Sequence, residues 1–354
     1  MYELQRRFMT LSARTRVAVL AATVAALLIT GTAIWSLAAP DDDTINAYLH
    51  RSGLAGRHEL RVGIFQDQPL LSYAEPKDRN STRLKDHAGF EIELIRELAS
   101  YLGFTEDSVK VIDTQVQNRG KDLNDNTVDV VVASFSITPD RERDEVDFAG
   151  PYLKTEPEVL MRTGSWAEDS ITIRNLADLH GRLCTIGSST SDDALRTKDI
   201  NDFDGRATSD DCVKGLLDRK YDAFMLDSVV LAGYIEQHPK QLKLVDLVLN
   251  QQEKYGIAVA NHDEYLRQVI GNFLQDSYER GDAGAWQHAW DRTLGRVLGD
   301  SSQPRPEGVR VLRDYQDGFQ AQPAPYQPAQ RPPATGPPRA PAVRVRDARR
   351  ARRR

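Results

Sequence analysis

The hydrophobic positions change period several times along the chain, and each change marks an element. Residues 17–39 form an uncharged run, VAVLAATVAALLITGTAIWSLAA, long enough to cross a bilayer as a helix. From residue 59 onward, short apolar and β-branched runs alternate with stretches of helical spacing. The runs at 60–65, 109–114, 128–133, 158–162, 183–186, 221–226 and 255–260 predict strands. Residues 89–103 place Ile92, Ile95, Leu98, Ala99 and Leu102 on one helical stripe that Gly103 closes. Two helices are predicted at about 262–280 and 282–298, with Trp286 and Trp290 four apart as a core pair. Strands alternating with helices make the fold class α/β.

Charge divides the chain further. Arg6, Arg7, Arg14 and Arg16 precede the apolar run and Asp41, Asp42 and Asp43 follow it, which places residues 1–16 in the cytoplasm and everything after Pro40 outside. The expectation is a single-pass membrane anchor. Ser36-Leu37-Ala38 leaves a cleaved signal, and hence a secreted domain, as the alternative. No cysteine lies near this segment, which excludes the usual lipid anchor. Residues 40–58 read as a polar linker. Residues 301–354 hold ten of the seventeen prolines and end VRVRDARRARRR, a composition expected to be a disordered tail. A net charge of −6 gives no basis for a nucleic-acid partner.

One junction carries candidate chemistry. The strand at 128–133 runs through Ser134, Phe135, Ser136 and Ile137 into Thr138-Pro139-Asp140-Arg141. Thr138 is a good N-cap and Pro139 suits the first helical position, so backbone donors and a cation converge where an anion can bind. Arg141 in the first turn opposes the helix dipole, as an arginine does when it meets a ligand carboxylate; a solvated surface arginine is the alternative. A second junction, Gly187-Ser188-Ser189-Thr190, exposes further donors, and Asp227 ends the strand at 221–226. The sequence shows no nucleophile elbow, P-loop, dinucleotide fingerprint or metal-ligand spacing, so neither an enzyme nor a cofactor is expected.

The segment SITPDRERDEVDFAGPY resembles the signature of the family 3 extracytoplasmic solute-binding proteins, the polar amino-acid receptors of ABC importers. The resemblance runs from about Leu60 to Gly299 and is strongest to the actinobacterial glutamate/glutamine-binding branch. VGIFQDQPLLSY keeps that branch's Asp67, Gln68 and Pro69, but has Phe65 where the branch has a lysine and Gln66 where it has an aromatic. Arg79, Arg83 and Lys85 are candidate replacement cations. LCTIGSST and SDDCV match the branch's cysteine-bearing segments, so Cys184 and Cys212 are expected to form a disulfide, worth on the order of 3 kcal/mol.

The resemblance implies a type II periplasmic-binding-protein fold with two lobes joined by two crossover strands. Lobe 1 would span 59–153 and 251–299, and lobe 2 would span 157–248, within a domain at 59–300. It also implies that Arg141, Thr138 and Ser136, with backbone donors near Ser134 and Thr190, hold a ligand α-carboxylate. Ser189 belongs to the second junction, Asp227 would meet the α-ammonium, and Asp67 lies in the side-chain-reading loop. The expected function is capture of glutamate, glutamine or aspartate by a monomeric receptor that docks on ABC permease subunits. A membrane-anchored sensor reporting to a signalling partner is the alternative, and an enzyme on the same fold is the third.

Overall fold

The apolar runs become strands of two separate sheets. The computed structural model describes residues 43–312 apart from 168 and 250. In chain order the strands are β1 (Leu60–Ile64), β2 (Asp67–Gln68), β3 (Ser72–Tyr73), β4 (Val109–Asp113), β5 (Val130–Val131), β6 (Val146–Thr155) and β7 (Pro157–Arg162). They continue with β8 (Ser170–Thr172), β9 (Leu183–Ile186), β10 (Asp204–Arg206), β11 (Ala223–Asp227), β12 (Leu242–Val248) and β13 (Glu253–Ala260). The first sheet has the order β4-β1-β5-β13-β6 and the second β10-β9-β11-β7-β12-β8; β2 and β3 form a small hairpin.

In the first sheet β1 runs parallel to β4 and β5, and β13 inserts antiparallel between β5 and β6. Leu60, Val62, Ile64, Val130 and Val131 have no exposed surface, because helices cover both faces. One residue, Glu156, separates β6 from β7, so the chain passes directly from the first sheet into the second. It returns through residues 249–252 into β13. The result is the two-lobed α/β architecture with two crossovers. The helix Phe90–Tyr101 buries Ile92, Ile95, Leu98 and Ala99, as its spacing predicts. Trp286 and Trp290 stack at 5.1 Å, and the Trp286 indole N–H donates to the Tyr152 carbonyl, so the pair is core.

Two stretches depart from expectation. Within 40–58, Thr44 caps a helix, Ile45–Arg51, which buries Ile45, Tyr48 and Leu49 and sets Tyr48 edge-on to Tyr265. Its seven residues are too few to show a clear period in sequence. Residues 301–312, assigned to the tail, lie along lobe 1: the Glu307 N–H donates to Gly150 O at 2.7 Å and Leu312 is buried on Asn272. Arg310 pairs with Asp43 at 2.7 Å, joining the two ends of the described chain. Backbone bonding holds this strap, and proline-rich composition does not reveal it. The anchor segment at 17–39 and the tail from 313 lie outside the described residues. Among the described residues, no helix is long and apolar enough to cross a membrane.

Cys184 of β9 and Cys212 of the helix Ser209–Leu217 are bonded and fully buried. The closed loop spans 28 positions, and chain entropy predicts that opening it costs about 3 kcal/mol. Substituting both cysteines by serine should lower the unfolding free energy by about that amount in denaturant titrations. An unchanged midpoint would mean that lobe 2 does not depend on the bridge.

Candidate functional site

Both crossovers leave a cleft between the lobes, enclosing about 460 Å³ when the space open to solvent is included. Lobe 1 contributes the turn after β5. Ser134 sits at φ +39°, a left-handed conformation that non-glycine residues adopt at a cost. Its N–H donates to Glu91 at 2.7 Å and its hydroxyl accepts from Gln68 at 3.1 Å. The backbone donor expected from Ser134 is therefore committed to Glu91. Ser136 is buried and its hydroxyl lies 3.4 Å from that of Thr190, across the cleft. Thr138 caps the helix Pro139–Asp144 by accepting from the Arg141 N–H at 3.3 Å, and it lines the outer mouth of the cleft, not its interior.

Arg141 is only 9% exposed, and its guanidinium donates to Ser136 O at 2.8 Å. A second arginine, Arg119, lies beside it at 3% exposure and donates to the carbonyls of Val116, Ala133 and Ser134. Both guanidiniums press on the Phe135 ring, at 3.8 Å for Arg119 and 4.9 Å for Arg141. Neither has a carboxylate within ion-pair distance among the described residues. Burial, with the charge of Arg141 nearby, pushes Arg119 down to about 9, and burial lowers Arg141 too. Sequence reasoning missed Arg119, which stands in the polar run RGKDLN and resembles a solvated helix residue there. The candidate replacement cations lie elsewhere: Arg79 pairs with Asp210, Arg83 with Asp86, and Lys85 is exposed.

Lobe 2 supplies the acid. Asp227 is 5% exposed; one carboxylate oxygen accepts from the Tyr255 hydroxyl and the other, Oδ1, is buried without a partner among the described residues. Burial, reinforced by Glu253, pushes its carboxyl up to about 7. Ser189 caps the helix Thr190–Thr197: its hydroxyl accepts from Asp192 N–H at 3.2 Å and donates to Ile186 O at 2.7 Å. Thr190, at the first helical position, lines the cleft with a hydroxyl that capping does not use.

Asp67 lines the cleft but spends its carboxylate across it, accepting from the Ser209 N–H of lobe 2 at 2.6 Å. Tyr234 donates to the Asp67 carbonyl and to Asp210, and Arg79 reaches Asp210 as well. Asp67 is thus a lobe-to-lobe contact, and the lobes stand closed on each other. Gly233 marks how closely: a Cβ there would overlap the Pro69 carbonyl oxygen of lobe 1. No group of His, Cys, Asp and Glu among the described residues could hold a metal ion.

The model of bacterial extracellular solute-binding proteins, family 3, matches residues 60–292. The glutamate-binding protein GluB of Corynebacterium efficiens is 27% identical over 260 residues, 71% of this chain and 82% of that protein. GluB of Corynebacterium glutamicum is 26% identical over the same shares. Among solved structures, the L-cysteine receptor of Neisseria gonorrhoeae superposes with a TM-score of 0.60 at 23% identity, covering 72% of this chain and 95% of its own. An ancestral arginine-binding protein bound to glutamine gives 0.57 at 24%, covering 68% and 99%. These two likenesses establish the fold.

The Gly233 contact yields a test of closure. Gly233→Ala favours the helix Ser228–Gln237 by about 1 kcal/mol in the open form but obstructs the closed one. The variant should bind ligand at least tenfold more weakly while its unliganded melting temperature stays the same or rises. Unaltered affinity would show that the lobes need not approach this closely.

Proposed function

The chain belongs to the family 3 bacterial extracellular solute-binding proteins, and on that premise we propose that it captures an acidic amino acid, glutamate or aspartate, by closing its lobes around it. The observation that carries this reading is the pair of buried arginines without acidic partners among the described residues. A desolvated guanidinium is tolerated when an anion meets it with aligned hydrogen bonds. Two such groups side by side suit a molecule with two carboxylates. Arg141, with the Ser136 and Thr190 hydroxyls, takes the α-carboxylate; Arg119 takes the side-chain carboxylate; the free Oδ1 of Asp227 accepts from the α-ammonium. Arg119 then replaces the lysine absent at Phe65, whose ring it faces at 5.5 Å. An amide ligand such as glutamine would leave the Arg119 charge uncompensated, so acids rank above amides.

Ligand groups touch both lobes only when these have closed, so binding energy shifts the equilibrium toward the closed form. In this reading the closed form docks on an ABC permease, and residues 17–39 tether it so that the cleft faces the extracytoplasmic side. The matched family is one of solute-binding proteins and the two curated relatives are glutamate-binding proteins, which supports a role without turnover.

Calorimetric titration of the purified protein with each amino acid tests the assignment. Glutamate or aspartate should bind most tightly, and Arg141→Ala should lose about 2–5 kcal/mol for every ligand. Arg119→Gln should lose a similar amount for acidic ligands and little for their amides. Tight binding of a neutral or basic amino acid, with acids excluded, would overturn the reading.

A further inference from the structure

The helix Phe90–Tyr101 opens on an acid that its spacing assigns to a packing element. Glu91 has no exposed surface. One oxygen, Oε1, accepts from the Ser134 N–H and from the Tyr152 hydroxyl; the other, Oε2, is buried with no hydrogen-bond partner among the described residues. Ser134 lines the cleft and Glu91 does not, so the carboxylate supports the binding turn without reaching a ligand. Arg119 grips the same turn through the carbonyls of Ala133 and Ser134, at 3.0 and 3.3 Å. An acid on its N–H and a base on its carbonyls therefore hold Ser134 in its left-handed conformation.

The groups around Glu91 are few. Tyr152 of β6 and the Ser134 N–H donate to it, and Arg119 of the helix Arg119–Asn124 is the cation that favours its charged form. Tyr255 of β13 stands beyond Tyr152, with ring centroids 6.2 Å apart. From the β2–β3 connection the Leu71 carbonyl accepts the Glu91 N–H. The helix Ala285–Arg292 meets neighbouring Phe90 with the rings of Trp286 and Trp290.

We propose that Glu91 is a positioning residue for the Ser134 turn and takes up a proton when an acidic amino acid binds. The proposal rests on the acidic-ligand reading of the cleft. A ligand carboxylate on Arg119 neutralises the cation that favours ionised Glu91, while Oε2 remains buried and unpartnered. A carboxylate in that position gains a proton in place of the lost Coulomb support. Burial already pushes Glu91 up to about 7 with Arg119 unopposed, so the bound protein holds the proton at higher pH than the free one. Because the bound state binds the proton more tightly, affinity rises as pH falls from the bound-state pKa toward the free-state value, and is lost in the other direction. Asp227 works the opposite way, since an ammonium on Oδ1 favours its charged form and releases a proton. Near pH 8 Asp227 is already mostly ionised, which leaves the uptake at Glu91 as the larger count.

Titrating purified full-length protein with glutamate at about pH 8, in buffers of different ionisation enthalpy, counts the protons. Wild type should take up a substantial fraction of one proton more than Glu91→Gln, whose neutral amide oxygen still accepts from Ser134 and Tyr152. Wild-type affinity should also fall by up to about tenfold per pH unit above pH 7 relative to that variant. Tyr152→Phe, which removes one donor to the carboxylate, should shift the wild-type profile to higher pH. Equal proton counts in wild type and Glu91→Gln, or a Tyr152→Phe profile that overlays wild type, would overturn the proposal. If no acidic amino acid binds wild type, the reading of the cleft fails and the proposal falls with it; binding without the difference removes the proposal alone.

Discussion

Two guanidinium groups share the Phe135 ring inside the protein, with no ion-paired acid among the described residues, and most of the site answers to that arrangement. The ring offers each a weak cation–π contact, and backbone carbonyls accept part of their hydrogen bonds. Neither removes the repulsion between two buried positive charges or supplies the opposite charge that burial demands. Asp227 and Glu91 stand near enough to temper the field, yet each directs one oxygen to a tyrosine and leaves the other unpartnered among the described residues. The cleft floor is thus electrostatically incomplete, and the proposed acidic ligand is the one whose charges would balance it.

The lobes also meet through their own side chains, at the cleft wall and beside it. Asp67, Arg79, Asp210 and Tyr234 form a polar junction between the lobes, and Pro69 fits against the bare backbone of Gly233. Burial, with Asp210 close by, pushes Asp67 up to about 6, so this junction carries some tension between neighbouring carboxylates. The disulfide anchors the helix that bears Ser209 and Asp210, tying the lobe 2 half of the junction to β9.

Much of the fold was legible because buried strands leave uninterrupted apolar runs; those around β1, β4, β7, β9, β11 and β13 stand out in the sequence as they stand in the sheets. Arg141 and Asp227 could be singled out because each sits at a strand-to-helix junction, where local spacing carries meaning. Arg119 and Glu91 could not. Arg119 is followed by Lys121, Asn124 and Asp125, all exposed, and Glu91 occupies a first-turn position where acids are commonplace for dipole reasons alone. Their burial follows from the way helices before and after β4 are drawn under one turn, a tertiary fact without a sequence period. The hydrogen-bond partners of Asp67 and Ser189 were not legible for a related reason: the pattern locates a polar side chain at a cleft, where both do lie, but does not say which neighbour will claim its hydrogen bonds.

The sheet order has a consequence for how the chain is assembled. Lobe 2 is one uninterrupted stretch closed by its own disulfide, whereas lobe 1 is written in two pieces separated by all of lobe 2. Strand β13 fills the slot between β5 and β6, so until residue 260 has been made the first sheet exists only as two fragments with open edges. The later half can therefore mature first, and the earlier half must wait, with its hydrogen-bonding edges exposed, for the strand that joins them.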